Sequence, residues 1–390
     1  MKCNNAVAAL LLRRKGDGST LNLDFTKMGA LDSRFTFTRS TTATYINSSG
    51  YVASAAINEA RFEYDATTLA TSGLLIEGAA TNLLNFSETF ATTGGTNNDW
   101  ADTNLTRTST NNTSPRNDAT ALQITASAAN GTIISSAAMG TSAARTLSVW
   151  LRRVTGTGNI QYTLDNGSTY TTQAITAVWV RYTFATTTAA QRVGFRIVTS
   201  ADAIEIWGVQ LETGNGASSY IPTTTAQVTR ATDVCTISGT NFTSWFNNTE
   251  GTILFSGNNT IVPAASNFSA NWALINAAGS ARITQYTRHT TGRIGASCRD
   301  SGGGALTFDS PAATTAILTT AEYKTAFALK NSDFAYSVNG AAVGLGDGVG
   351  VFETVASLEF ARDGIRNGHI KCFKFWPTRL TNAQLIAMTT

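Results

Sequence analysis

The sequence predicts a mainly β protein built from antiparallel β-sandwich domains. Charged residues make up only 14% of the chain and apolar residues 42%, and much of the remainder is Thr, Ser, Asn and Gly, which suit pleated strands and tight turns. Short stretches of alternating apolar and polar residues recur roughly every 8 to 14 residues between turn signals, as in an antiparallel sandwich or jelly roll. No sustained helical period and no strand–helix alternation appears. With 390 residues, the chain is long enough for two such domains.

Residues 1–20 are predicted to form an N-terminal docking arm, with a short helix over residues 5–14. An arm without a core of its own becomes ordered only when it docks on a partner. A secretory signal is not predicted, because the apolar run 6–12 is short, the basic residues 13–15 follow it, and no small-residue cleavage pattern comes next. No stretch approaches the roughly 18 apolar residues of a transmembrane helix, so membrane insertion is not predicted either.

Strand-length pieces then follow one another in three blocks. Residues 21–84 form an extended, strand-rich adaptor segment that contains LNLDF, RFTFT, ATYI, RFEYD and GLLIE. Residues 85–223 are predicted to form the first sandwich, with strands in TALQITAS, TLSVWLRR, IQYTLD, WVRYTFAT, RVGFRIVT and AIEIWGVQLE. Residues 224–390 are predicted to form the second sandwich, from GTILFSG to IKCFKFWP.

Two local signals in the last block predict particular structures. Asn339 and Gly340 lie between two apolar stretches, and both residues tolerate the positive φ that a type I′ hairpin turn requires. The final stretch, LTNAQLIAMTT, is predicted to be a short helix with Thr381 as its N-cap.

Charge and cysteine content exclude several classes of function. The net charge is +3, from 28 Lys and Arg against 25 Asp and Glu, and no basic patch is large enough to predict a nucleic-acid partner. The cysteines at 3, 235, 298 and 372 form no C-x-x-C pair, so a metal knuckle is not expected. They are typical of small buried hydrophobes in a protein made in a reducing cytoplasm, although a disulfide between two of them stays open.

One segment is similar to a catalytic motif. CRDSGGGA, residues 298–305, resembles the nucleophile segment of chymotrypsin-like proteases, but Arg299 stands where a glycine is expected and Gly304 where a proline is expected. A catalytic serine also needs a histidine base, and neither His289 nor His369 has the sequence context of that family. The segment is therefore predicted to be a glycine-rich turn.

Other patterns give no catalytic or cofactor site. Two isolated histidines do not make up a common zinc site. GLGDGVG, residues 344–350, lacks the G-x-G-x-x-G spacing and follows a hairpin, so it is not expected to bind a phosphate. The sequence thus predicts no catalytic residue, no metal and no cofactor.

The stretch WGVQLETGNGASSYIPT, residues 207–223, contains an acidic residue at the end of a predicted strand. Glu205 and Glu212 are seven residues apart, which is about 23 Å in an extended strand, and we expect them on opposite faces. Paired carboxylates for glycoside hydrolysis should be about 5 to 10 Å apart, so these two are not predicted to be a catalytic pair. Glu212 is expected to anchor a turn instead.

Aromatic side chains are the remaining candidates for ligand contact, because sugar rings stack on exposed aromatic faces. We expect Trp150 and Trp179 to pack in a core. Trp272, Tyr286 and His289 are predicted to line one sheet face and are the candidate glycan contacts.

Four segments together resemble a cassette of tailed-bacteriophage virion proteins, known broadly as head or tail fibre, spike and decoration proteins. The four segments are residues 23–52, 57–65, 73–90 and 207–234. That cassette typically carries a carbohydrate-binding-module-like jelly roll, which matches residues 85–223. From residue 235, the opening EGTILFSG, the hairpin YSVNGAAV and the ending LTNAQLIAM are similar to concanavalin A-like (laminin-G-like) sandwiches.

The resemblance implies a virion structural protein without enzymatic activity, assembled in the host cytoplasm. Its arm would attach to other virion proteins, its sandwiches would project for host-surface glycan adhesion or particle assembly, and it would be a homotrimer. Two alternatives remain: a glycan-degrading tail depolymerase and a free carbohydrate-binding lectin. The attachment point, whether head, collar or tail, and the identity of any glycan are left open.

Overall fold

The fold is described from a computed structural model of the chain. It describes residues 17–90, 100–109, 113–136, 144–157, 159–186, 192–261, 268–288, 293–299, 305–309, 321–346, 353–362, 364 and 366–390. Among the described residues, strands account for 50% and helices for 4%, and the sheets are antiparallel. The predicted mainly β class is therefore confirmed.

The strands of the first 231 residues are short and closely spaced. They are β1 (Leu21–Asp24), β2 (Thr36–Thr38), β3 (Ala43–Ile46), β4 (Val52–Ala55), β5 (Arg61–Tyr64), β6 (Thr71–Glu77), β7 (Ala80–Asn82), β8 (Trp100–Thr103), β9 (Leu105–Ser109), β10 (Leu122–Ala126), β11 (Gly131–Ser135), β12 (Arg145–Thr155), β13 (Asn159–Thr163), β14 (Thr171–Ala174), β15 (Val180–Thr186), β16 (Gly194–Ile197), β17 (Ala203–Thr213) and β18 (Val228–Arg230).

The rest of the chain adds eleven strands and two helices to the described structure. They are β19 (Val234–Ser238), α1 (Thr240–Thr243), β20 (Glu250–Gly257), β21 (Phe268–Ile275), β22 (Ala281–Arg288), β23 (Arg293–Arg299), β24 (Ala305–Asp309), β25 (Tyr323–Lys330), β26 (Phe334–Val338), β27 (Gly344–Gly346), β28 (Ser357–Phe360), β29 (Asn367–Trp376) and α2 (Asn382–Thr389).

These elements form two compact units, each assembled from separate stretches of chain. In the described residues, unit 1 comprises 17–40, Ile57–Gly78 and Thr232–Thr390, and unit 2 comprises Thr41–Ala56 and Ala79–Ala231. The segment predicted as a separate adaptor, residues 21–84, contributes strands to both units.

Unit 1 is a sandwich of an eight-stranded and a seven-stranded sheet. The larger sheet has the order β27-β26-β25-β20-β29-β6-β5, with β1 paired to β29, and the smaller has the order β2-β19-β28-β21-β22-β23-β24. Phe373 of the larger sheet contacts Trp272 and Phe360 of the smaller one, with ring centroids 5.9 and 5.5 Å apart. Aromatic and aliphatic side chains from both sheets thus form one continuous core.

A buried ionic network joins the three stretches of chain that make up unit 1. Nη1 of Arg61 lies 2.7 Å from Oε2 of Glu77, and its Nη2 lies 2.6 Å from Oδ2 of Asp233. Nη1 of Arg39 lies 3.1 Å from Oδ1 of Asp233. Burial alone would lower the pKa of Arg61, but the charges of Glu77 and Asp233 outweigh burial and raise that pKa. Two cations and two anions therefore compensate one another in the interior of unit 1.

The two local predictions for the last block are confirmed. Asn339 has φ 47° and Gly340 has φ 73°, in the turn that connects the paired strands β26 and β27. The side chain of Thr381 accepts a hydrogen bond from the backbone N–H of Gln384, and the Gln384 side chain accepts one from the backbone of Thr381, which is a capping box. Helix α2 then packs Leu385 against β25 and β26, on the face away from the main core.

Unit 2 is a jelly roll with one additional strand on each sheet. Its two five-stranded sheets have the orders β15-β12-β17-β10-β9 and β14-β13-β16-β11-β8. From β10 to β17 the chain alternates between sheets in the eight-strand order of two Greek keys, and β9 and β8 extend the two edges. Leu147, Val149 and Leu151 of β12 point into the core between the sheets, as their alternation predicts.

Candidate functional site

A β-bulge brings a row of polar and aromatic side chains onto one face of unit 2. Gly208 has φ 65°, and the pairing of β12 with β17 shifts by one residue between Ser148 and Trp150. Because a bulge adds one residue to a strand, Trp207 and Gln210 both point away from the core, although they are three residues apart. We call this side of the sheet the outer face. Its central cross-strand pairs are Arg152–Glu205, Trp150–Trp207, Ser148–Gln210 and Thr146–Glu212.

The bulge corrects one expectation from the sequence. Glu205 and Glu212 were expected on opposite faces, but both lie on the outer face because the extra residue at Gly208 reverses the alternation. They remain far apart, since their partners Arg152 and Thr146 are six residues, or about 20 Å, apart along β12.

One half of the outer face is filled by the protein's own side chains. Trp150, Trp207 and Tyr220 form a buried cluster with Val52 of β4. The ring centroids of Trp150 and Trp207 are 5.3 Å apart, and those of Trp207 and Tyr220 are 4.8 Å apart. The guanidinium of Arg181 lies 4.6 Å from the Trp150 centroid, which is cation–π distance. These indole rings are therefore not available to a ligand.

Glu212 lies at the edge of this filled half and holds a loop. The backbone N–H of Ser218 donates to its Oε2 over 2.9 Å, and the hydroxyl of Ser218 and the amide of Gln210 also donate to the carboxylate. Burial raises the pKa of Glu212, although these hydrogen bonds and the charge of Arg181 oppose the increase. The residue anchors the turn after β17, as the sequence predicts.

The other half of the outer face carries a partly exposed indole, Trp179, beside a charged pair, and this indole also packs against the edge of the buried cluster. Arg152 donates to Glu205 in a cross-strand ion pair in which the arginine side chain is 28% exposed and the glutamate 2%. The guanidinium lies 4.9 Å from the ring centroid of Trp179, and the indole N–H donates to the carbonyl of Thr113 over 3.0 Å. Gln123 pairs with Glu205 across β10 and β17 and also points outward.

We define the open shelf as Trp179, Arg152, Glu205, Gln123 and Thr125. These side chains lie on neighbouring strands or on the loop before β15, and Gln123 and Thr125 are partly exposed. The exposed parts of the set offer an aromatic ring, a guanidinium donor, an amide and a hydroxyl, and the buried Glu205 carboxylate holds the guanidinium. Hydroxyl-rich ligands such as sugars need both an apolar face to stack on and mixed donors and acceptors. The shelf is therefore the candidate site.

The residues predicted as glycan contacts are not on this shelf. Trp272 is fully buried in the core of unit 1 against Phe373, and Tyr286 is 6% exposed. A ring without an exposed face cannot stack on a sugar, so the structure does not present these two as a platform. His289 lies outside the described residues.

The histidine and serine candidates for catalysis are likewise not assembled into a site. Of CRDSGGGA, residues 300–304 lie outside the described part of the chain. His369 is 7% exposed, with Nε2 2.7 Å from Oε2 of Glu63 and Nδ1 3.0 Å from Oδ1 of Asn258. Its ring is thus held between two acceptors inside unit 1.

Metal-binding clusters and membrane-spanning helices are not found among the described residues. Within them, no group of three or more His, Cys, Asp or Glu side chains is placed to hold a metal ion. Over the same ranges, no helix has the length and apolar character to cross a bilayer. Within the described residues, Cys235, Cys298 and Cys372 are not joined in a disulfide, and Cys3 lies outside the described ranges.

Comparisons with known proteins give no family. No family model and no curated protein matches the chain. Among solved structures, the chain is similar to the CBM40 domain of Ruminococcus gnavus IT-sialidase bound to alpha2,6 sialyllactose, with 20% identity and a TM-score of 0.31 over 36% of this chain and 84% of that one.

Two other similar structures are larger. The receptor-binding domain of botulinum neurotoxin C/D mosaic serotype is 12% identical with a TM-score of 0.32, over 40% of this chain and 39% of that chain. Trypanosoma rangeli sialidase in complex with DANA is 8% identical with a TM-score of 0.32, over 40% of this chain and 25% of that chain. Likenesses of this size do not assign a ligand. Together, the fold and the outer face define a protein of two β-sandwich units with a polar, partly aromatic sheet face.

Proposed function

We propose that the chain is a non-enzymatic structural protein of a bacteriophage virion, and that it presents its two sandwiches for adhesion to a host-surface glycan. The resemblance of residues 23–52, 57–65, 73–90 and 207–234 to virion fibre and decoration proteins supports the virion role. The open shelf of unit 2 carries the adhesive role. In this proposal the arm of residues 1–20 attaches the protein to other virion proteins, and the protein is a homotrimer.

The observation that carries the adhesive function is the placement of Trp179 beside the Arg152–Glu205 pair. The indole is half-buried and held by its hydrogen bond to Thr113 and by the guanidinium, so little side-chain freedom would be lost when a sugar stacks on it. The amide of Gln123 is partly exposed and supplies a polar contact for sugar hydroxyls, while the Glu205 carboxylate, 2% exposed, holds the guanidinium of Arg152 in place.

The contacts made by Glu205 and Glu212 support glycan binding and argue against glycan hydrolysis. A glycosidase needs one carboxyl group to donate a proton and a second, about 5 to 10 Å away, to act as nucleophile or base. Glu205 is committed to Arg152, and Glu212 is committed to Ser218 about 20 Å along the sheet. In this proposal both glutamates stabilise the sheet and its loop, and neither takes part in catalysis.

Replacing Trp179 by Ala tests the adhesive role. We expect binding of the full chain to immobilised host-surface polysaccharide to weaken about tenfold, because the stacking face is lost. Tyr51→Ala is the matched control, since Tyr51 is an exposed aromatic of the same unit, 38% exposed and outside the shelf. If Trp179→Ala, Tyr51→Ala and the wild type bound the polysaccharide equally well, the adhesive site would lie outside the shelf.

Removing residues 1–20 tests the attachment role. The truncated chain is expected to be absent from purified particles while it still binds polysaccharide, because none of the five shelf residues belongs to the arm. Recovery of the truncated chain on particles at the normal level would contradict attachment through the arm.

A further inference from the structure

The second sheet of unit 2, with the order β14-β13-β16-β11-β8, carries a polar row on the side that points away from the core. Ile133 of β11 and Phe195 of β16 pack in the core, so the cross-strand set one residue further along points outward. We call this set the second row, and it consists of Thr103, Thr132, Arg196, Gln161 and Thr172. Thr103 and Thr172 are exposed, and the other three are partly exposed. The row is thus open to solvent, on the opposite sheet from the open shelf.

The guanidinium of Arg196 is held in place at the centre of this row. Its Nε donates to Oε1 of Gln161 over 2.6 Å, and the amide of Gln161 donates to Oγ1 of Thr172 over 3.3 Å. The guanidinium carbon lies 3.7 Å from the ring centroid of Tyr170, which precedes β14, so the ring covers one face of the guanidinium. In the described structure, neither Nη1 nor Nη2 donates to a protein acceptor. Two in-plane donors therefore remain on a side chain that is already oriented.

The positive charge of Arg196 also has no acid partner among the described residues. Three other partly exposed arginines of unit 2 are each paired with an acid: Arg107 with Asp102, Arg116 with Glu88, and Arg152 with Glu205. Asp165, in the loop before β14, forms no ion pair with a described cation and accepts from the hydroxyls of Thr163 and Thr169 instead. The second row thus presents one oriented, uncompensated cation among hydroxyl and amide groups.

We propose that the second row binds the carboxylate of an acidic sugar, which gives unit 2 a second glycan site; the inference rests on the proposed adhesive function. Two parallel N–H groups of a guanidinium match the two oxygens of a carboxylate. Thr132 and Gln161 flank Arg196 and supply polar contacts for ring hydroxyls. A nucleic acid, with a charge on every phosphate, would need several cations, whereas a sugar that carries one carboxylate among hydroxyls matches the single cation of this row.

Immobilised polysaccharides of different charge test the proposal. The full chain is passed over polygalacturonate, polysialic acid and neutral dextran, so that the two acidic polymers distinguish a hexuronic acid from a sialic acid. We expect at least one acidic polymer to be bound about tenfold more tightly than dextran. Arg196→Gln should abolish this preference, and Arg196→Lys should restore only part of it, because an ammonium is a point charge. A wild type without the preference, or a preference unchanged in Arg196→Gln, would overturn the proposal.

Two further variants separate the second row from general effects of charge and folding. Arg153→Gln removes a charge from a partly exposed position of the same unit outside the row, and should keep the preference. Loss of the preference in this control would mean that net charge is recognised, and would contradict the proposal. Gln161→Glu is nearly isosteric and gives Arg196 an acid of its own, so it should abolish the preference even if Arg196→Gln fails to fold. Retention of the preference in Gln161→Glu would likewise contradict the proposal.

The same measurements distinguish failure of this inference from failure of the proposed function. A chain that binds host-surface polysaccharide and shows no preference for either acidic polymer would contradict the second row alone. A chain that binds none of these polysaccharides would contradict both the second row and the adhesive role.

Discussion

At the scale of single residues, Glu212 shows how a buried carboxyl can serve a purely structural role. The carboxylate accepts from the Ser218 backbone, the Ser218 hydroxyl and the Gln210 amide, and so ties the loop after β17 to the sheet. Its pKa is nevertheless raised, because burial penalises the charged form more than these contacts stabilise it. The protonated form is therefore favoured in the folded state relative to the unfolded chain.

This difference predicts how stability depends on pH. The folded chain holds the Glu212 proton more tightly than the unfolded chain does, so the stability from this group is fully present below the unfolded pKa of about 4.3 and is lost as pH rises through the folded pKa. Relative to Glu212→Gln, the free energy of unfolding of the wild type should therefore decrease as pH rises from about 4 to 8. Urea unfolding of both proteins over that range measures the difference.

Asp118, also in unit 2, provides a control for which the predicted change of stability with pH has the opposite sign. Burial opposes the shift, but hydrogen bonds from Ser114 and Thr120 lower the pKa of Asp118. Relative to Asp118→Asn, the wild type should gain stability as pH rises from about 3 to 5. If the Glu212 comparison changed with pH in the same direction as this one, the raised pKa of Glu212 would be refuted.

The candidate residues could be predicted from the sequence only in part. The alternation in TLSVWLRR and AIEIWGVQLE identifies which positions avoid the core, and Arg152 and Glu205 could have been found that way. The pattern does not reveal which aromatic rings are covered: Trp272 is buried by a second sheet, and Trp150 by Tyr220, both distant in sequence. Trp179, expected in a core, is partly buried and packs against the Trp150–Trp207–Tyr220 cluster from the loop before β15.

At the scale of secondary-structure elements, the bulge at Gly208 determines which side chains share the outer face. A Cβ atom added at Gly208 would lie 2.9 Å from Cε3 of Trp150 and 3.4 Å from Cε2 of Tyr220. The residue also has a positive φ that side chains other than glycine rarely adopt. Both the backbone and the aromatic packing thus require glycine here.

Substitution of this glycine should therefore be costly. Gly208→Ala is expected to lower the free energy of unfolding of unit 2 by about 2 kcal/mol or more, from a strained φ and a clash with an indole that is itself packed. Chemical denaturation measures the loss. Gly279→Ala, in unit 1, separates the two causes, because Gly279 has a similar positive φ of 78° but no atom within 4 Å of an added Cβ. An equal loss in both variants would mean that packing against Trp150 contributes nothing.

Structural elements that depend on the preferences of neighbouring residues could be predicted from the sequence. Elements that depend on how two strands pair could not. The Asn339–Gly340 turn and the Thr381 cap depend on the preferences of one to four adjacent residues, and both are present. The bulge at Gly208 depends on how β17 is aligned with β12, which the sequence of one strand does not contain. That is why Glu205 and Glu212 were expected on opposite faces.

At the scale of the whole molecule, each sandwich is closed by segments distant in sequence. The β3–β4 hairpin belongs to unit 2, while the residues just before and after it belong to unit 1. In unit 1, Arg39 and Arg61 of the early segments meet Asp233 at the beginning of the last one. None of these charges can be buried without a partner. The network therefore favours the conformation in which all three segments of unit 1 come together.

The network predicts a large difference between buried and exposed ion pairs. Arg61→Met leaves Glu77 and Asp233 buried without their main partner and should lower the free energy of unfolding by about 3 to 5 kcal/mol. Arg34→Met removes the partner of Asp32 in a pair whose side chains are 29% and 23% exposed, and should cost less than about 1 kcal/mol. Thermal unfolding compares the two, and similar losses would refute a structural role for the buried network.

We propose that unit 2 presents a polar, partly aromatic surface that binds a glycan without cleaving it. The most direct test is to incubate the full chain with host-surface polysaccharide and to measure the polysaccharide's size distribution by chromatography, with the protein retained on it. We predict that the protein co-elutes with polysaccharide of unchanged size. Release of oligosaccharides, abolished when Glu205 or Glu212 is replaced by glutamine, would contradict the account.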